Sequence, residues 1–208
     1  VTTNDRELWS RMWSYKDHGK SWEAVYEREH PTGFRWLHET FGTNWRMTEI
    51  QGAIGRIQLT RMADWTAKRN NNQNAIWDKA SSLNGLRVPK FKCASCIGCD
   101  DSYKCIHAAY KCYVFVEHEH LNTGWDRDRI IDEIVSRGVP CFSGSCSEVY
   151  LEKAFDNTGF RPEQRLPVAK ELGETSLMFL VHPTLTQGEI ELTCQVLEQV
   201  MGLAASQV

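Results

Sequence analysis

Four closely spaced cysteines are the clearest group of metal-binding side chains in the sequence. They are Cys93, Cys96, Cys99 and Cys105, in the spacing C-x2-C-x2-C-x5-C. Spacers this short let neighbouring thiolates point at one tetrahedral ion, and four thiolates leave no position for substrate or water. The array therefore predicts a structural zinc site, in an insert at residues 92–106. Free thiols, disulfides or an iron–sulfur cluster are alternatives that the spacing leaves open.

A second polar group, Asn44 and Arg46, stands directly before a long helical pattern. Thr48 and Gln51 match a Ser/Thr-x-x-Glu/Gln capping box, so the helix is predicted to begin near Thr48. An amide and a guanidinium beside a helix start can bind an anion such as phosphate. The same spacing fits a core helix preceded by a local turn former and a solvated charge. The pattern alone does not separate these two interpretations.

The elements that would position these residues fall into two regions. The first holds a predicted helix over 5–15, a polar and aromatic excursion over 17–43, and the long helix from Thr48, whose apolar residues recur with a period near 3.6. The second has the pattern of a compact α/β domain. Its predicted strands are 86–89, 111–116, 139–142 and 176–181, and its predicted helices are 127–137 and 186–201. Ser143-Gly144-Ser145 predicts a turn, with a small polar pocket as the alternative.

Composition narrows the class of protein. The chain has 208 residues, with 24 basic and 27 acidic side chains, and this balance does not favour a nucleic-acid partner. No secretory segment and no apolar run of membrane-spanning length is found in the sequence, so a cytoplasmic protein without a membrane partner is expected. The cysteines outside the array are predicted to be buried apolar side chains: Cys112, Cys141, Cys146 and Cys194.

Several short motifs follow one another in order along almost the whole chain. They are Thr3-Asn4-Asp5, His18-Gly19, Gly42-Thr43-Asn44-Trp45-Arg46-Met47, Gly138-Val139-Pro140, Pro167-Val168-Ala169 and Val181-His182-Pro183-Thr184-Leu185-Thr186. In this order they resemble the DegT/DnrJ/EryC1/StrS family of pyridoxal-phosphate-dependent sugar-nucleotide aminotransferases. The resemblance implies an α/β fold, the C-terminal part of a fold-type-I transferase. Residues 1–82 would be the end of the large domain plus the long connecting helix, and residues 83–208 the small C-terminal α/β domain.

The resemblance also implies roles for individual residues. Asn44 matches an asparagine that reaches the cofactor phosphate of the other subunit, so a homodimer is expected. Arg46 matches a neighbouring arginine that binds substrate in the same shared site. His182 matches a histidine near the substrate sugar or its phosphates, and a histidine that only caps the strand end is the alternative. His18 is a weaker match, for which a structural role is predicted.

In the resembled family, the lysine that forms the Schiff base precedes the segment that Thr3-Asn4-Asp5 matches, and this chain starts at Val1. The parent enzyme is expected to convert a keto-sugar nucleotide into an amino-sugar nucleotide, with an amino-acid donor such as glutamate. This chain is expected to be a C-terminal portion with no catalytic residue, inactive by itself. The alternative is a non-catalytic, zinc-stabilised binding domain or paralogue of the family.

Overall fold

The computed structural model of the protein describes residues 2–30, 35, 37–89 and 107–205. It divides into two compact units, Val1–Arg61 and Met62–Val208, and the boundary falls inside the long helix. The predicted boundary between the large and small domains, at residue 82, refers to the domains of the whole enzyme. It stays a prediction. The cysteine array and the predicted insert at 92–106 lie outside the described residues.

The first unit begins with helix α1, Arg6–Lys16. The side chain of Asp5 caps this helix by accepting a hydrogen bond from the backbone N–H of Leu8 at 3.0 Å. A short π-helix follows at Glu23–Glu27. Aromatic rings pack between these two elements: the centroid of Trp22 lies 5.4 Å from that of Trp13. Aromatic packing therefore accounts for part of the high tryptophan content of this region.

Helix α2, Glu49–Ser81, starts where the capping box predicts. The backbone N–H of Thr48 donates to Gln51 Oε1 at 2.9 Å, and the Gln51 N–H donates to Thr48 Oγ1 at 3.3 Å. The two halves of the helix differ in burial. Ile50 is 74% exposed and Ile54 is 54% exposed, whereas Ile76 in the C-terminal half is fully buried. The interpretation as a core helix therefore holds only for the C-terminal half.

The second unit is built on a four-stranded sheet in the order β1-β2-β4-β3, with every pair antiparallel. The strands are β1 Leu86–Arg87, β2 Cys112–Val116, β3 Cys141–Phe142 and β4 Ser176–Phe179. Each lies inside a range predicted from the sequence. Strand β4 is buried along its whole length. It pairs with β2 on one edge and β3 on the other, with Val114 opposite Leu177 and Cys141 opposite Phe179.

In the described part of this unit, the α-helices after α2 are α3 Arg127–Ser136, α4 Pro167–Thr175 and α5 Gln187–Ala204. Asp126 caps α3, and Thr186 with Glu189 forms the predicted capping box of α5. Side chains of α2, α3, α5 and the sheet share one core; its fully buried members include Ile76, Ile130, Ile134, Leu177, Phe179 and Leu197. Across the described ranges, none of the helices combines the length and apolarity that a bilayer crossing needs.

The cysteines of the second unit differ in burial. Cys112 and Cys141 are buried, as predicted, and Cys194 is half-buried. Burial raises the pKa of Cys112 and of Cys141 to about 12, so both thiols stay protonated at neutral pH. The prediction was wrong for Cys146, which is exposed because it lies in the loop that follows β3.

Candidate functional site

Asn44 and Arg46 lie side by side in the turn before α2. The Nε of Arg46 donates a hydrogen bond to Asn44 Oδ1 at 3.3 Å, and its backbone N–H contacts the same oxygen at 3.4 Å. Both side chains are exposed. Because these contacts use the amide oxygen, the Asn44 Nδ2 group and the Arg46 Nη1 group keep their N–H donors clear of hydrogen bonds with the described residues. The pair is therefore a set of hydrogen-bond donors with a positive charge, which suits an anionic oxygen ligand.

A carboxylate that the sequence analysis did not single out supports Arg46. Asp17 is 8% exposed, and its Oδ1 lies 3.5 Å from Arg46 Nε. This oxygen accepts no hydrogen bond from the described residues, so the ion pair is its main compensation. His18 Nε2 lies 3.2 Å from an Arg46 terminal nitrogen and must accept, since a guanidinium can only donate. Asp17 and His18 thus restrict where the guanidinium can point.

The position of this turn depends on a close approach between two backbone segments. Gly19 has φ +87°, and a Cβ atom there would lie 1.7 Å from the carbonyl oxygen of Thr40. A Cβ on Gly42 would lie 2.4 Å from the backbone nitrogen of Gly19. His18 also has a left-handed backbone, with φ +62°. His18 and Gly19 therefore form a tight turn, and the facing segment approaches it closely at Gly42 because that residue has no side chain.

Backbone hydrogen bonds hold the two segments together at Asn44. The N–H of Thr43 donates to Tyr15 O at 2.7 Å, and that of Trp45 donates to Lys16 O at 3.0 Å. Asp17 and Asn44 face each other as an isolated antiparallel bridge. The C-terminal end of α1 thereby fixes the backbone on both sides of Asn44. Nothing in the spacing of Asp17 could have indicated this pairing, because the two residues are far apart in sequence.

His182 lies in the second unit, in the loop after β4, and is exposed. Its Nδ1 is 2.8 Å from Thr184 Oγ1 and 3.4 Å from the Thr184 backbone nitrogen. The backbone N–H can only donate, so neutral His182 carries its proton on Nε2. Its carbonyl oxygen accepts from Asn72 Nδ2 at 3.3 Å. These contacts fit both interpretations of His182, the local cap and the substrate contact.

The loop after β3 lines a polar cleft, which is the alternative that the sequence left open for Ser143-Gly144-Ser145. The cleft has a volume of about 390 Å³ and is lined by residues 143–148, Leu151, Glu152 and Gly173. Gly144 has φ +92°, and a Cβ there would lie 2.5 Å from the ring of Tyr113. The Tyr113 hydroxyl accepts from the Ser145 N–H at 3.1 Å, and Lys111 Nζ donates to Ser145 Oγ at 3.1 Å. Sequence reasoning missed this grouping of Lys111, Tyr113 and Ser145.

An ion pair between buried Glu148 and exposed Arg165 anchors the far end of the same loop. Glu148 is 7% exposed, and both of its carboxylate oxygens accept hydrogen bonds from Arg165. The Tyr150 hydroxyl donates to Glu148 Oε1 at 2.6 Å and accepts from the Leu166 N–H at 2.9 Å. The hydrogen bonds from Arg165 and Tyr150 lower the pKa of Glu148 to about 2. The anchor therefore depends on an ionised carboxylate.

This anchor makes the stability of the protein dependent on acid pH. The pKa of Glu148 is lower in the folded state, so its stabilisation is complete above the ordinary value of 4.5 and is lost as the pH falls toward 2. We expect the urea midpoint to fall less between pH 6 and pH 3 for Glu148→Gln than for the unchanged protein. Glu163→Gln, at an exposed glutamate, is the control and should keep the full pH dependence. Equal slopes for the Glu148→Gln and Glu163→Gln variants would contradict the prediction.

Comparison with known proteins places the chain among aminotransferases. The sequence profile described as the DegT/DnrJ/EryC1/StrS aminotransferase family matches residues 1–198. The erythromycin biosynthesis sensory transduction protein EryC1 of Saccharopolyspora erythraea is 23% identical over 153 residues, covering 74% of this chain and 37% of that protein. GDP-perosamine synthase of Escherichia coli O157:H7 is 23% identical over 199 residues, covering 94% of this chain and 45% of that protein.

A solved structure gives a stronger match. The aminotransferase from Psychrobacter cryohalolentis is 59% identical in sequence and superposes with a TM-score of 0.85. The match covers 97% of this chain and 50% of the Psychrobacter chain. The chain therefore spans about half the length of that enzyme, and less than half of the curated relatives. The likeness confirms the predicted α/β fold, the C-terminal part of a fold-type-I transferase. The chain belongs to the DegT/DnrJ/EryC1/StrS aminotransferase family.

Proposed function

We propose that the chain is the C-terminal portion of a pyridoxal-phosphate-dependent aminotransferase that converts a keto-sugar nucleotide into an amino-sugar nucleotide. The donor would be an amino acid such as glutamate. The observation that carries the proposal is the 59% identity, over 97% of this chain, to the Psychrobacter aminotransferase. GDP-perosamine synthase among the relatives supports a nucleotide-linked sugar as the product.

The polar groups of the first unit suit part of such a site. Asn44 presents amide N–H donors, and Arg46 presents a guanidinium whose Nε contacts Asp17 at 3.5 Å. In the proposed enzyme, Asn44 donates to the cofactor phosphate of the other subunit, and Arg46 binds an anionic oxygen of the substrate. His182, with its Nε2 proton, donates to the sugar or its phosphates. Pyridoxal phosphate, when bound, supplies the electron sink for moving the amino group.

The proposal is tested by amino-group transfer in the complete enzyme. Keto-sugar nucleotides of several sugars and bases are incubated with glutamate, and 2-oxoglutarate and the amino-sugar nucleotide are quantified by mass spectrometry. We expect at least one pair to be converted. We expect no conversion by the 208 residues alone, because none of them matches the family's cofactor lysine. A complete enzyme that binds the cofactor and aminates none of these substrates would refute the proposal.

A homodimer is part of the proposal, and the N-terminal half of α2 supports it. Ile50, Ile54 and Ile57 recur at helical spacing in α2, Met47 lies just before the helix, and each of the four is more than half exposed in the single chain. We expect Ile54→Glu to shift the protein from dimer to monomer in sedimentation velocity, because burying that carboxylate in an apolar interface is costly. Ala63→Glu, at an exposed position on the opposite side of α2, should leave the dimer intact. An Ile54→Glu variant that remains dimeric would exclude this interface.

The zinc site remains a proposal from the sequence, since its cysteines lie outside the described residues. Within those residues, no group of three or more His, Cys, Asp or Glu side chains is placed to hold a metal. We expect native mass spectrometry to find one zinc ion per chain, lost in a double variant at Cys96 and Cys99. The control Cys146→Ser, at an exposed free cysteine, should keep the metal. A metal-free protein with four reactive thiols in the array would rule the site out.

A further inference from the structure

The loop after β3 brings together three side chains that the proposed function does not use. Lys111 directly precedes β2, Tyr113 lies in β2, and Ser145 follows β3. Lys111 Nζ lies 3.1 Å from Ser145 Oγ, and the Tyr113 hydroxyl lies 3.4 Å from the same oxygen. We call these residues the Lys111–Tyr113–Ser145 cluster. The cluster thus joins the start of β2 to the loop after β3, and both strands belong to one sheet.

The hydrogen bonds inside the cluster determine which atoms remain for a ligand. The Tyr113 hydroxyl accepts a hydrogen bond from the Ser145 N–H. It donates its own proton in a hydrogen bond to Ser145 Oγ. An ammonium group can only donate, so Ser145 Oγ also accepts from Lys111. With both lone pairs occupied, Ser145 has only its hydroxyl proton left to offer. Lys111 makes no other hydrogen bond or ion pair with the described residues, so two of its N–H groups also remain. The cluster therefore presents the N–H groups of Lys111 and the hydroxyl proton of Ser145 as donors, and one lone pair of the Tyr113 hydroxyl is its remaining acceptor.

The charge of Lys111 acts on the other members of the cluster. Burial by itself would raise the pKa of Tyr113, but its hydrogen bonds with Ser145 and the nearby Lys111 outweigh this effect and lower the pKa. The surroundings are thus electropositive at the tyrosine oxygen. Of the two carboxylates that line the adjacent cleft, Glu148 is neutralised by Arg165, and Glu152 is exposed, where solvent screens its charge.

We propose that the Lys111–Tyr113–Ser145 cluster is a binding site for a phosphoryl group. A compact ammonium and a hydroxyl donate along separate directions, which suits the tetrahedral oxygens of a phosphoryl group; a planar carboxylate is matched better by a guanidinium fork. The cleft of about 390 Å³ beside Ser145 leaves space for the rest of a phosphate ester. This site lies in the second unit, and it adds an anion position to that of Asn44 and Arg46 in the first.

The test is a titration of the 15N-labelled chain at pH 7.5 and constant ionic strength, followed through the amide signals of Gly144 and Ser145. Three titrants are compared: inorganic phosphate, uridine diphosphate and acetate. We expect phosphate and the nucleotide to shift both signals and acetate to leave them in place. If uridine diphosphate binds more tightly than inorganic phosphate, the phosphoryl group that the site recognises belongs to a nucleotide. If the two bind equally, the site recognises a simple phosphate. Either result supports a phosphoryl site.

Two variants test whether the amide shifts on adding phosphate depend on the cluster. Lys111→Met keeps the side-chain length without the charge and should weaken phosphate binding at least about tenfold, as expected for a lost charge-assisted hydrogen bond. Ser145→Ala should weaken it as well, while the control Lys68→Met, at an exposed lysine of α2, should not. Thermal unfolding without ligand confirms that each variant is folded. Unmoved amide signals, equal shifts with acetate, or full binding by a folded Lys111→Met variant would overturn the proposal.

Discussion

Replacing Arg46 with methionine is expected to lower kcat/KM of the complete aminotransferase by about a hundredfold. A charge-assisted hydrogen bond contributes about 1.5–3 kcal/mol, and 2.7 kcal/mol corresponds to about a hundredfold change. The substitution keeps the apolar stem of the side chain and removes the guanidinium, which is exposed and held near Asp17 Oδ1. Steady-state kinetics with a keto-sugar nucleotide and glutamate measure the effect.

Two controls separate loss of a ligand contact from loss of the local fold. Arg56→Met removes an exposed arginine from α2 and should leave kcat/KM unchanged. The double variant Asp17→Asn with Arg46→Met avoids leaving the Asp17 carboxylate, 8% exposed, without its cation. If the folded double variant recovers wild-type kcat/KM, Arg46 only balances Asp17, and the substrate role is wrong.

Gly42→Ala is expected to destabilise the first unit by about 3 kcal/mol. Its Cβ would meet three backbone atoms, at 2.4 Å from Gly19 N, 2.7 Å from Tyr15 O and 2.9 Å from His18 C. None of these atoms can rotate away as a side chain can, so the segment that carries Asn44 would have to separate from the end of α1. Urea unfolding followed by tryptophan fluorescence measures the change, because Trp9, Trp13 and Trp22 lie in this unit.

The matched control lies in the same region of the chain. Gly55 is inside α2, and a Cβ there meets nothing within 4 Å. Gly55→Ala should therefore stabilise the protein by up to about 1 kcal/mol through helix propensity. Opposite signs for the two alanine substitutions are the expected result. Equal effects would mean that the close approach of Gly42 to Gly19 does not hold the turn.

The sequence predicts the elements whose ends carry local signals. The starts of α2 and α5 are found because Thr48 and Thr186 bond to backbone groups only three residues away. Strand β2 is found because its apolar run is short, continuous and rich in β-branched and aromatic residues. Hydrogen bonds between residues close in sequence, and runs of buried residues, can be recognised from the order of residue types alone.

Features that depend on distant contacts could not be predicted. The pairing of Asp17 with Arg46, and the grouping of Lys111 and Tyr113 with Ser145, arise only when separate segments meet in the fold. Helix α4 was also missed, although Pro167 at its first turn is a recognised start signal. The exposure of Cys146 follows from its loop position, which its residue type does not reveal. The cofactor and substrate roles of Asn44 and Arg46 come from the resemblance, since their spacing leaves two interpretations open.

Complementation between two inactive variants of the complete enzyme tests the central claim most directly. One variant carries Asn44→Ala, and the other lacks the cofactor lysine. If Asn44 serves the cofactor of the other subunit, each mixed dimer has one intact site. Random mixing of equal amounts should then restore about a quarter of the wild-type activity. If Asn44 acts within its own subunit, the mixed dimers have no intact site. A mixture that forms mixed dimers and stays inactive would contradict the account.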